Sequence, residues 1–539
     1  MQGYFSSGDY AVAAKTINYV NKPFNFRPLA LWAFFVVVTV VVCINSMRVG
    51  FWIIPVWLGL VVLFFVILNA RKSKYKDTVL ENLATNRMFF VVTIVLCIMV
   101  VTSFAITNLA FTNQRHFEGE GEVRGVIRSM RINDEEGSGN IVLANVTFDG
   151  NSVRGRVRVN IWNIDENPLR LGQIVVTETT IRRTEPTPFN VNNHIRYTAA
   201  VNLNRGTIAV VGDSRDLRSV ILRHTHDFFH THMRGESAEL LYSMLFGDRS
   251  SLDGELQETF RLSGMAHVLA VSGLHVGLIV AIVLGLLSLL RVKRKHQIIV
   301  VTMVLLFYMY LCDFRVSIVR ASIMFFVIML TGLYARRVDL ISRVCLAWII
   351  VLVIFPYQIN SLSFQLSFGC MFGIAFFYRP FTHYLQRLWP ETQIKPIAKF
   401  RKFSIDSLSL YTVTAITTFP FLIITFGFYS VIGLVTNILL LPFLIIAFQL
   451  SAIALLTVVG FPLLYLADVL VRFVAITSDW LARAPFAVIN VTAAGYWYLF
   501  YFVGLILCTR FIFMRRRYRV AAVAVCFSIY FLSLVIYNT

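Results

Sequence analysis

The chain has 539 residues, 57% hydrophobic and 14% charged, a composition that excludes a water-soluble globular protein. Its 49 Lys and Arg against 29 Asp and Glu give a net charge of +20. That excess clusters in short loops at the ends of apolar runs, so it reports membrane orientation by the positive-inside rule and is not by itself a nucleic-acid footprint.

Met1 to Phe26 is polar and moderately basic without a signal-cleavage pattern, so the first apolar run is expected to stay as an anchor. Runs of spanning length, about 17–25 residues each, lie near 28–46, 51–70 and 88–111 and make residues 1–111 a three-span membrane region. Residues 112–212 read as an inserted β domain. Strand-like segments are Glu122 to Ile127, Ile141 to Val146, Ser152 to Ile161, Gln173 to Ile181 and Arg196 to Asn202, with turn clusters at Asn133 to Asn140, Asp149 to Asn151 and Asn163 to Pro168. Five short strands suit a small OB-like barrel, with a sandwich fragment as the alternative. Arg154, Arg156 and Arg158 alternate with Gly155 and Val157, so they are expected on one strand face. They read either as a stripe tracking single-stranded nucleic acid or as a solvated face. Eleven Arg against eleven Asp and Glu between Arg115 and Arg196 favour the solvated face, since no electrostatic funnel results.

Residues 213–262 are expected to form amphipathic interfacial helices leading into the membrane. They carry His224, His226, His230 and His232. His226 and His230 have the i, i+4 spacing of a chelating pair, but no carboxylate is well placed in sequence, so no metal site is expected. The remainder, 263–539, is the main membrane region. Its spans are near 267–290, 297–313, 316–335, 341–357, 360–378 and 406–428, two within 431–482, then 495–513 and 519–537. The whole is a polytopic α-helical membrane protein of about thirteen spans. The basic clusters at Arg71 to Lys76, Arg291 to Lys295, Arg336-Arg337 with Arg343, Lys395 to Lys402, and Arg510 with Arg515 to Arg519 are all expected on the cytoplasmic side. That puts the N-terminus inside, 112–266 outside and the C-terminus outside the plasma membrane. The seven cysteines all fall in or beside spans, so no disulfide framework or cysteine metal site is implied.

Ser263 to Gly277 is unusual for a span, with two His, two Ser and three Gly. Polar groups at that density must find partners in hydrocarbon. On one helix His267 and His275, eight residues apart, would share a face about two turns apart, with Ser272-Gly273 as a spot of close approach. Arg320, Gln365 with Ser363 and Ser367, Thr414, Thr417 and Thr418 before Pro420, and Asn437 before Pro442 add polarity in other spans. Together they suggest a hydrated path, although tight packing explains any one of them. No P-loop, H-E-x-x-H, Cys-based zinc set or G-x-S-x-G occurs, so no cofactor and no catalytic centre are expected. Asp313, Arg315, Arg320, His267 and His275 could still meet in three dimensions.

Gly264 to Val276 is similar to the G-L-x-H-L-L-A-I-S-G-L-H-V core of the competence DNA-channel (ComEC) family. Leu245-Phe246-Gly247-Asp248-Arg249-Ser250 resembles its L-x-G-D-R-S approach, Arg320-Ala321-Ser322-Ile323-Met324 its R-A-x-x-M, and Ser363 to Phe368 its S-F-Q-L-S-F. Phe419-Pro420, Phe426-Gly427, Ser430 and Asn437 follow its later pattern. The resemblance implies an inner-membrane channel passing single-stranded DNA inward, lined or shaped by His267, Ser272, Gly273, His275, Arg320, Gln365 and Asn437. Its implied partners are single-stranded DNA, membrane lipids, an extracytoplasmic DNA receptor and a cytoplasmic ATP-driven helicase or translocase. Full-length relatives carry a C-terminal metallo-β-lactamase-like domain; this sequence stops at Thr539 after a span, so a channel whose nuclease is a separate protein, or absent, is the expectation. Ala415 stands where the family has Gln, and the β domain lacks the cysteine pair of some members. The rival readings are a secondary transporter for another solute, which would show internal repeats not detected here, and an intramembrane enzyme on a lipid-linked substrate.

Overall fold

Each apolar run named above carries a helix in the computed structural model, which describes residues 28–49, 51–70, 87–112, 117–133, 138–162, 169–185, 187–202, 208–248, 252–269, 271–334, 339–389, 394–457, 460–491, 497–508 and 516–538. The N-terminal stretch, the basic clusters at 71–76 and 336–337, Arg510, Arg515, most of the turns at 133–140 and 163–168, and Arg249-Ser250 lie outside the described residues. The first helices are α1 (Pro28–Val49), α2 (Ile53–Ala70) and α3 (Arg87–Thr112).

The inserted domain is built from β1 (Gly119–Asn133), β2 (Ser138–Phe148), β3 (Asn151–Ser152), β4 (Arg156–Trp162), β5 (Gln173–Arg183), α4 (Pro188–Asn192), β6 (Ile195–Asn202) and β7 (Ala209–Asp213). β1 pairs antiparallel with β2 and β5, β2 with β4, and β5 with β6, while β4 runs parallel to β6. The ring β1–β2–β4–β6–β5–β1 therefore closes into a five-stranded barrel, which discards the sandwich alternative. Its five strands are those read from the sequence; β3 and β7 are added at the edges of β2 and β5. Alternation explains the closure. Val157, Val159 and Ile161 of β4 are buried while Arg156, Arg158 and Asn160 between them are half-exposed. Val123, Ile127, Leu143, Val175, Tyr197 and Val201 complete the interior.

Three helices lead from the barrel to the bundle: α5 (Leu217–His232), α6 (Gly235–Phe246) and α7 (Gly254–Leu262). α5 is amphipathic as expected, but α6 is buried around nearly its whole circumference, from Ser237 to Phe246 except half-buried Glu239. It is a core helix rather than one lying in an interface. The bundle follows as α8 (Ala266–Leu269), α9 (Gly273–Leu289), α10 (Arg294–Leu311), α11 (Val316–Tyr334), α12 (Leu340–Ile354), α13 (Leu362–Gly373), α14 (Arg379–Leu388), α15 (Lys395–Phe426), α16 (Gly433–Leu439), α17 (Leu441–Leu456), α18 (Gly460–Ala482), α19 (Tyr498–Cys508) and α20 (Arg516–Asn538). Among the described residues four helices are long and apolar enough to cross a membrane, or five if α16 and α17, bent by 44°, form one span. The protein is polytopic and helical; the figure of about thirteen spans rests on the apolar runs alone.

Two apolar clusters organise the bundle. One joins α5–α11 with α17 and α18 through Phe229, Leu241, Phe260, Val276, Leu305, Leu444 and Leu464. The other joins α1, α3, α12 and α13 through Val40, Phe104, Val351, Tyr357 and Phe364. Helix α11 serves both, giving Ile318 and Ala321 to the first and Met324 and Val327 to the second. α15 runs unbroken through a proline. Pro420 inside α15 has no N–H for the carbonyl of Ile416 four residues back, and the Tyr501 hydroxyl of α19 donates to it at 2.9 Å. Short strands β8 (Phe428–Ser430) and β9 (Val488–Asn490) pair antiparallel beyond the ends of α15 and α18.

Candidate functional site

The segment Ser263 to Gly277 is not one helix. Gly264 takes a left-handed φ of +78°, α8 lasts four residues to Leu269, and α9 begins only at Gly273. His267 and His275 therefore do not share a continuous helical face, which corrects the expectation from their spacing. The cause is a cap. Ser272 is extended (φ −122°, ψ 176°), its Oγ accepts from the Leu274 N–H at 3.2 Å, and its own N–H donates to His275 Nδ1 at 3.1 Å. This is a capping box with His in the place usually taken by Glu or Gln. Because Nδ1 accepts a backbone proton, the neutral His275 ring carries its own proton on Nε2. That ring is fully buried beside Phe448, with centroids 5.1 Å apart, while His267 is exposed.

Carbonyls freed where α7 ends are answered from α16 and its approach. Ser430 Oγ donates to Leu262 O at 2.7 Å, Thr436 Oγ1 to Ser263 O at 2.6 Å, and Asn437 Nδ2 to Gly264 O at 3.3 Å. Asn437 also donates to Gly433 O at 2.6 Å. Gly264 is required for contact as well as conformation, since a Cβ there would stand 2.7 Å from Gly433 Cα. The broken α8–α9 thus faces the bent α16–α17, two interrupted helices packed against each other.

Gly273 also packs against α11, where a Cβ on it would meet Ala321 Cβ at 3.7 Å. The next residue back, Arg320, is 2% exposed. Its Nη2 donates to Ser363 O at 2.8 Å and Ser363 Oγ at 2.7 Å, and the guanidinium lies 5.8 Å from the Phe364 ring centroid. Nε and Nη1 find no acceptor, and no carboxylate pairs with it among the described residues. Gln365 turns away, its Nε2 donating to Ile359 O at 3.1 Å. The structure thus gathers Gly264, Ser272, Gly273, His275 and Asn437 on one flank and Arg320 with Ser363 on the other. Asp313, Arg315 and Arg320 take separate partners.

The arginine stripe is divided. Arg154 precedes β4 and is exposed, so only Arg156 and Arg158 share the strand face. Arg156 forms a two-pronged ion pair with Asp313, at 2.7 and 3.0 Å, which ties the barrel to the α10–α11 turn. Arg158 donates to Asn190 Oδ1 at 3.1 Å and sits 4.7 Å over Phe189. Burial lowers the pKa of Arg158 from its ordinary value. The same turn receives Arg218 of α5, 3% exposed, whose Nε donates to Leu311 O at 2.8 Å, while Arg315 donates to Gly247 O. Asp216 caps α5 and pairs with Arg128 of β1 at 3.1 Å. Burial acts to raise its carboxyl, but the hydroxyls of Ser214 and Ser219 and the charge of Arg128 outweigh it and hold the pKa at about 2.

The reading that no carboxylate completes the His226–His230 pair is also corrected: Glu239 of α6 lies against both rings. Its hydrogen bond raises His226 above the usual histidine value. Sequence reasoning missed Glu239, Arg218 and Thr436 because each acts across a turn or on a residue far away in the chain. The turn at Met233-Arg234-Gly235 was the one available signal for the first, since it folds α6 back on α5.

Residues 244–516 match the family model described as "Competence protein", a stretch from within α6 into α20 that leaves the barrel outside. ComE operon protein 3 of Bacillus subtilis (strain 168) is 29% identical over 152 residues, covering 28% of this chain and 20% of the relative. An uncharacterized protein of Aquifex aeolicus (strain VF5) is 31% identical over 140 residues, 26% of this chain and 33% of its own length. The aligned region thus spans a fifth to a third of these curated relatives. No solved structure matches.

Proposed function

Since the chain belongs to the Competence protein family, we propose that it is the plasma-membrane channel that passes single-stranded DNA into the cytoplasm during natural transformation. One observation carries the reading: the interrupted helices α8–α9 and α16–α17 meet beside α11, whose buried Arg320 has no carboxylate partner among the described residues. Non-helical backbone at membrane depth is tolerated where it is buried in protein or lines a wet cavity. A polyanion crossing hydrocarbon needs donors along its way, and an uncompensated guanidinium is a costly group to keep without such a role. The barrel is the extracytoplasmic receiver, exposed Arg154 its first contact, and the N-terminus is cytoplasmic. His267, exposed beside the helix break, faces the path, while Ser272, Gly273, His275 and Asn437 shape it.

The strand is handed over by an extracytoplasmic DNA receptor and pulled by a cytoplasmic ATP-driven helicase or translocase, with lipids surrounding the bundle. No catalytic step is assigned to the chain. The separate partners of Asp313, Arg315 and Arg320 support a channel over an intramembrane enzyme. Deletion in a transformable host is the test: surface-bound DNA is expected to remain while nuclease-protected DNA and transformants disappear. Unchanged transformant yield overturns the proposal.

A further inference from the structure

His226 and His230 stand one turn apart on α5 with ring centroids separated by 4.2 Å. Both direct Nε2 at the same oxygen, Glu239 Oε1 of α6, at 3.0 and 2.7 Å. Tyr242 packs edge-on against the His226 ring at 5.3 Å, which limits its rotation. His232 is turned aside, its Nδ1 on Phe228 O at 2.8 Å, and His224 is exposed elsewhere on the helix. Two imidazoles therefore converge on one carboxylate from neighbouring helices, and the ligand atoms all lie within 4.8 Å of one another.

We propose that His226, His230 and Glu239 form a binding site for one divalent transition-metal ion of the zinc type, a site separate from the DNA path. Two imidazole nitrogens and a carboxylate oxygen suit zinc and its neighbours, whereas magnesium and calcium prefer all-oxygen shells. Tetrahedral bonds of about 2.0–2.1 Å place ligand atoms about 3.4 Å apart. The present nitrogen–oxygen separations of 3.0 and 2.7 Å need only a small opening to admit the ion. The histidine side chains, 26% and 34% exposed, have room for it and leave the fourth position open to solvent. Asp227, 3.8 Å from His226 Nδ1, adds negative charge beside the site. Bound there, the ion cross-links α5 to α6, the hairpin through which the barrel joins the bundle.

The full chain, purified in detergent and stripped with a chelator, is titrated with zinc chloride by calorimetry, and its metal content is measured after desalting. One zinc per chain is expected for the wild type and for His224→Gln. His230→Gln and Glu239→Gln are each expected to bind at least tenfold more weakly. Cobalt loading should give the intense visible bands of a four-coordinate ion in the first pair and not in the second. His230 is exposed, so its variant keeps the test valid if Glu239→Gln fails to fold. A wild type that retains no zinc, or equal retention by His230→Gln, overturns the proposal.

Discussion

Replacing Arg320 by Met separates a residue kept for transport from one kept for stability. The substitution removes two charge-assisted hydrogen bonds to Ser363, each worth about 1.5–3 kcal/mol. It also removes two buried donors, Nε and Nη1, that have no acceptor, each costing about 1–3 kcal/mol. The buried positive charge itself costs on the order of 3 kcal/mol at a helix centre. The terms sum to between about 1 kcal/mol against and about 6 kcal/mol in favour of Met, centred on the favourable side, and the volume and flexibility of Met suit the space beside Phe364. The expected result is an unfolding temperature in detergent equal to or above that of the wild type, with nuclease-protected DNA uptake reduced at least tenfold. Arg320→Lys keeps the charge but not the two-armed contact, and is expected between the two. If Arg320→Met lowers the unfolding temperature sharply and uptake falls only with protein abundance, the guanidinium is a structural tie and the argument fails. Wild-type uptake would refute it from the other side.

Other positions give independent tests. Ser272→Ala removes the cap of α9 and is expected to cost about 0.5–2 kcal/mol, seen as faster hydrogen exchange at the Leu274 amide, whereas Ser272→Asn preserves both cap and uptake. Gly264→Ala forces a left-handed conformation and a clash with Gly433, together about 2–5 kcal/mol, and should appear as loss of folded protein after extraction. Asp216 has a folded pKa of about 2, below its ordinary value of 3.8, so its contribution is present above that ordinary value and is lost as pH falls through about 2. The difference in stability between wild type and Asp216→Asn should therefore shrink by about 2 kcal/mol from pH 5 to pH 2, read by chemical unfolding; a constant difference would mean the carboxyl is not held down.

The barrel was legible because strand alternation is local: Val157, Val159 and Ile161 face inward whatever the rest of the chain does. The apolar runs were legible for the same reason, but their interruptions were less so. Pro420 read as a break, yet α15 runs on through it, whereas Ser272 read as a flexible spot because a Ser-x-x-His cap lacks the Glu or Gln that marks the usual box. Partners across space were not legible at all. Asn437 stood out as polar, but the carbonyl it holds, that of Gly264, lies 173 residues earlier in the chain.

The three arginines of the barrel carry this furthest. Alternation placed Arg156 and Arg158 on one face, and that face was expected to be solvated. Both are engaged instead, one with Asp313 157 residues later and one with Asn190 and Phe189. A basic stripe whose charges are already neutralised or stacked contributes little to holding a phosphate backbone. What Arg156 does is fix the barrel against the α10–α11 turn, the same turn that Arg218 holds from α5. Because α11 continues from that turn to Arg320, the orientation of the barrel and the position of the buried guanidinium share one rigid element. On the proposed function, the barrel that would receive the strand and the donor inside the bundle are set in register by the fold rather than by a continuous track of charge.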